Sequence, residues 1–244
     1  MAELRNNQMR SAVAGTRVDT GIDEGLRAYM LRVYNLMALG LAITGVTAMG
    51  TAYLAYNNAD FAQLLYASPL RWVIMLAPLA LVFFMSFRID RMSVSAAQTT
   101  FWAFAALMGV SMSAIFLVFT SASIVQTFFI TAASFGALSL WGYTTKRDLT
   151  GMGSFLVMGL FGLILAMIVN IFLGSSALQF AISAIGVLIF AGLTAYDTQK
   201  IKEMYFEGDD VLVAGRKAIM GALTLYLDFI NLFQFLLSFL GNRE

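Results

Sequence analysis

Asp197 and Asp228 are the residues with the most chemistry to explain. Asp197 closes the run AGLTAYDTQKIK at residues 191–202, and Asp228 sits inside TLYLDFINLF at 224–233. Of fourteen acidic residues, only these two fall in stretches apolar enough to cross a bilayer. An aspartate at the centre of a spanning helix costs about 2.5–3.5 kcal/mol on insertion scales. Such a residue usually faces a partner or a cavity, and it often marks an ion or proton path. Two buried acids close together cannot both ionise easily, so a pair of them should share one proton. Their oxygens suit a hard cation, which makes Asp197 and Asp228 candidate metal ligands. The plainer readings are a surface pairing of Asp197 with Lys200 and a hydrogen-bonded structural role for Asp228.

The surroundings of Asp228 sharpen this. Thr224, Asp228 and Asn231 follow at spacings of four and three, so they share one helix face, with Gln234 at its edge and Gly221 beneath. A polar stripe on an apolar helix turns toward protein or water rather than lipid. Other chemistries are excluded by composition. The chain has no cysteine and no histidine, which removes thiolate chemistry, the usual zinc ligands and the commonest general base. The acidic run EGDD at 207–210 lacks calcium-loop spacing and reads as a solvated loop. The fifteen methionines read as core filler.

The elements that must position these residues are membrane helices. The chain is 60% hydrophobic and 12% charged, against roughly half and a quarter for a soluble domain. A net charge of +1 gives no field that calls for nucleic acid. Spanning takes about 20 apolar residues. One span fits in 33–59 and one in 72–87, which is short unless it starts near Tyr66 and which Pro69 and Pro78 could break or kink. Two fit in 92–145 with a turn near 119–123, two in 149–196 with a turn near 174–176, and one in 218–242. The seventh should be central because of its stripe. Ala105, Gly109 and Ser113 form a small face for close helix contact. Spans one to three and four to six could be an inverted pair. Residues 1–27 read as a polar cytoplasmic arm without a cleaved signal peptide, and 28–244 as the membrane domain. Seven spans put 13 of 15 basic residues on one side, so the N-terminus is expected in the cytoplasm and the C-terminus outside.

AGLTAYDTQKI resembles the signature of the transmembrane Bax inhibitor motif family, and LYLDFINLF resembles that family's seventh-helix motif. The arm is closer to the bacterial branch, whose members sit in the inner membrane. The resemblance implies seven helices, the last wrapped by two groups of three. It implies a pH-sensitive calcium leak with no cofactor, gated by the proton shared between Asp197 and Asp228. It also implies a basic latch for the first aspartate near the inner end of span two, where Arg88 and Arg91 are the candidates. Some bacterial relatives modulate a membrane-embedded protease, so a regulatory binding protein is the alternative. An intramembrane aspartyl protease is the third reading. It is disfavoured because Leu225, Tyr226 and Leu227 precede Asp228 where such enzymes use Gly-x-Gly. A non-enzymatic protein is expected.

Overall fold

The computed structural model describes residues 24–242 in full and residues 2–23 by their backbone. The side chains of the polar arm before Glu24 therefore lie outside the described residues, as does Arg243. Seven long helices carry the fold: α1 (Ala2–Asn57), α2 (Leu70–Arg88), α3 (Val94–Met112), α4 (Ser121–Thr144), α5 (Thr150–Leu173), α6 (Ser176–Glu203) and α7 (Val211–Leu240). Each contains, among the described residues, a segment long and apolar enough to cross a membrane. The protein is an all-α polytopic membrane protein.

Local chemistry sets the boundaries. Ser93, Thr120, Ser175 and Asp210 each accept a backbone N–H of the first turn they precede, satisfying donors that a helix start leaves open. The turn before α4 falls at Thr120. The turn before α6 falls at Gly174, whose φ of 59° is the left-handed conformation that glycine adopts without strain. Pro69 sits at the start of α2, and Pro78 lies inside it without breaking it. Span two is therefore continuous, and it begins at Leu70. A larger correction concerns the stretch between the spans expected in 149–196 and 218–242. The α6 helix runs on to Glu203, with Lys200 and Lys202 in its last turn where cations complement the helix dipole. Asp210 starts α7 early, so the loop is only 204–210.

Helix α7 packs against α1, α3, α4 and α6. Within the first triplet α3 carries both α1 and α2, and within the second α6 carries both α4 and α5. The two groups of three around a central seventh helix are thus observed. Their contact pattern repeats, which fits two copies running in opposite directions because three is odd. The most apolar span is the least buried: 11% of α5 at mean hydropathy 2.7, against 56% of α7 at 1.6. Apolarity here serves the lipid face, while α7 spends its polar groups inside the bundle.

The small face does what its spacing predicts. A Cβ on Gly109 would collide with Thr47 Oγ1 and the Thr44 carbonyl, so α1 and α3 meet backbone to backbone there. Beside that contact Thr44 donates to the Ala105 carbonyl at 2.9 Å and lies 2.6 Å from the Tyr226 hydroxyl. The Tyr226 ring stands edge-on to Phe101 and Phe104 at 5.9 and 5.2 Å, which ties α7 to α1 and α3 two residues before Asp228.

Candidate functional site

Asp228 lies about 25 Å along α7 from Val211, and Asp197 about 9 Å from the end of α6. Two helices paired from their ends would leave the aspartates out of step. They meet because pairing starts late on α7. Lys217 Nζ donates to the Met204 carbonyl at 3.0 Å and to Asp209 Oδ2 at 2.6 Å, so Val211–Arg216 overhangs the contact. From there the register holds. Gly221 faces Ile201, Phe235 stacks on Phe190 at 5.7 Å, and Ser183 bonds to Ser238 at 3.0 Å. On that register Asp228 comes level with Asp197.

The two carboxyl groups lie within hydrogen-bonding reach of each other. Asp228 is 4% exposed, and its Oδ2 has no hydrogen-bond partner among the described residues. Lys200 forms no ion pair with Asp197 among those residues. Its Nζ lies 5.9 Å from the centre of the Tyr196 ring. Both aspartates line a cleft of about 810 Å³ between α5, α6 and α7. Thr224, Asn231 and Gln234 line the same cleft, so the predicted stripe faces one space. Its far end holds Gln179 and Asn170, hydrogen-bonded to each other at 3.1 Å. From Asp197 to Gln179 the cleft follows α6 for about 27 Å at 1.5 Å per residue, close to the roughly 30 Å of a hydrocarbon core.

As a cation site the pair is sparse. No group of three or more metal-ligating side chains occurs among the described residues. Calcium takes six to eight oxygens, more than two carboxyl groups supply by themselves. The candidate latches stand apart. Arg88 ends α2, Arg91 ends the short turn Ile89–Arg91, and both are exposed. Neither forms an ion pair with Asp197. The turn packs on α7, where Arg216 donates to the Asp90 carbonyl. The EGDD run is more than a solvated loop, since Asp209 pairs with Lys217 and Asp210 caps α7.

Residues 26–244 match the family described as inhibitor of apoptosis-promoting Bax1. The chain belongs to that family. It is 53% identical over 224 residues to an uncharacterized protein of Rickettsia prowazekii, covering 91% of this chain and 92% of that one. It is 47% identical over 246 residues to an uncharacterized protein of Caulobacter vibrioides, covering 98% of each. Over 223 residues it is 47% identical to the inner membrane protein YbhL of Escherichia coli, covering 90% and 94%.

Within this Bax inhibitor family member, the residues after Asp197 have separate tasks that sequence reading missed. Thr198 lies 2.8 Å from Ser139 Oγ, which lies 2.6 Å from the Tyr34 hydroxyl, so α6, α4 and α1 are joined by three hydroxyls. Gln199 accepts from the Leu149 N–H at 2.9 Å and donates to the Arg147 carbonyl at 2.8 Å, fixing the turn between α4 and α5. Lys202 reaches back to the Tyr143 carbonyl at 2.9 Å. The available signal was their adjacency: consecutive polar residues on a helix point about 100° apart, so one run addresses several neighbours at once.

Proposed function

We propose that this protein is a pH-sensitive calcium leak channel of a bacterial inner membrane, with Asp197 and Asp228 sharing one proton. The observation that carries this reading is the meeting of two carboxyl groups at one end of a polar-striped cleft about as long as a bilayer core is thick. The inner-membrane placement rests on the printed name of YbhL. Gaining or losing the shared proton changes the charge at one end of the cleft, which biases the bundle between closed and open arrangements. Closing would bring Arg88 or Arg91 toward α6.

Purified protein in calcium-loaded liposomes tests the proposal. Calcium flux should occur without partners and should depend on pH. Asp197→Asn and Asp228→Asn should each flatten the pH profile, and the double variant should add little because the two act as a unit. Neutralising the arginine that latches should raise flux near neutral pH. Single variants that fold, conduct and keep the wild-type midpoint would overturn the shared-proton mechanism. No flux at all would favour the alternative of a regulatory protein acting on a membrane protease, and cleavage of a peptide in the same liposomes would favour an enzyme.

A further inference from the structure

Helices α1 and α4 both pack on α7 but not along each other, and a gap of about 700 Å³ remains between them. The gap is floored by Phe135 and Phe229 and is tied across by the Tyr34–Ser139 bond. It runs from Arg27 to Ala38 on α1 and from Tyr143 back to Ala132 on α4. That is about 17 Å at 1.5 Å per residue, or one leaflet of a core roughly 30 Å thick. Its polarity is graded in the same direction. Arg27 and Tyr143 stand at the end nearer the arm, and Met37, Ala38, Ala132 and Gly136 lie deeper.

We propose that this gap is a binding site for one phospholipid, with an acyl chain between α1 and α4 and the phosphate on Arg27. Arg27 is exposed and has no ion-pair or hydrogen-bond partner among the described residues, so its fork of donors is available to a phosphate. A second cation stands at the same end, because Lys202 is held on the Tyr143 carbonyl with its Nζ 5.2 Å from the centre of that ring. An acyl chain suits the slot better than a protein helix. A helix is about 10–12 Å across with its side chains and would have to part walls that Tyr34 and Ser139 tie together. Gly136 faces open space within the slot, with no atom within 4 Å of where its Cβ would stand.

Native mass spectrometry of the purified full chain tests this, with dioleoyl phosphatidylglycerol and dioleoylglycerol as probes. The two share acyl chains, and only the first has a phosphate. One phosphatidylglycerol should be retained at least about tenfold better than dioleoylglycerol, a modest return for one charge-assisted pair. Arg27→Gln, at an exposed position, should reduce that preference toward unity. Gly136→Leu and Gly136→Phe should displace both lipids by filling the slot. Equal retention of the two lipids by the wild-type protein, or an unchanged preference in Arg27→Gln, would overturn the phosphate assignment. Unchanged retention in a folded Gly136 variant would overturn the slot itself.

Discussion

Gln199 is the residue whose loss should be most visible apart from any transport. It is 7% exposed and satisfies one backbone donor and one backbone acceptor of the 145–149 turn. Gln199→Ala should cost about 1–3 kcal/mol by leaving the Leu149 N–H unpaired in a buried place. A lowered unfolding temperature in detergent, together with faster proteolysis at this turn, would register it. Gln199→Glu keeps only the acceptor and should fall between the two. The same turn carries a pH response of its own. Asp148 accepts the Thr150 side-chain and backbone hydrogen bonds, which hold its carboxyl below the ordinary carboxylate range. A depressed carboxyl contributes above its unfolded value and loses that contribution as pH falls through its folded one. Protection of the Thr150 amide against hydrogen exchange should therefore weaken only in acid, and Asp148→Ala should remove the acid-dependent part.

Between elements, backbone proximity is the controlling quantity. A Cβ on Gly142 would collide with the Ala195 carbonyl oxygen, which is backbone and cannot swing aside. Gly142→Ala should push α4 from α6 and cost about 1–3 kcal/mol through overpacking. Gly162 on α5 faces open space, so Gly162→Ala should leave the unfolding midpoint level or slightly raised. Equal effects of the two in a detergent melt would contradict this account of the α4–α6 contact. The contrast also marks what was legible in the sequence. Span number and the turns at Thr120 and Gly174 could be read because apolar runs end at capping residues and at that glycine. The aspartate pair could be read because charge inside a span needs a reason. The helix register could not be read, since it depends on Lys217 reaching Met204 across the loop, a contact without periodicity in the chain. The separate partners of Thr198 and Gln199 were hidden for the same reason.

At the scale of the whole molecule, basic residues set the expected orientation. With seven spans, 13 of the 15 lysines and arginines fall on one side. That side should be cytoplasmic, and the residues following α7 should lie outside. A reporter that works only in the cytoplasm should be active in the 204–210 loop and silent after α7. Activity after α7 would overturn the orientation or the span count.

The central position of α7 has a consequence for how the protein is made. Translation inserts the six surrounding helices before the helix that most of them need as a core. Until α7 arrives, α1, α3, α4 and α6 lack their shared neighbour, and Asp197 lacks Asp228. Nascent chains stalled before Val211 should therefore be correctly threaded through the bilayer yet loosely associated. They would be the form that membrane quality-control proteases recognise. Biogenesis would then have a single commitment step, the docking of the last span, and slow insertion there would prolong the vulnerable state more than a delay at any earlier helix.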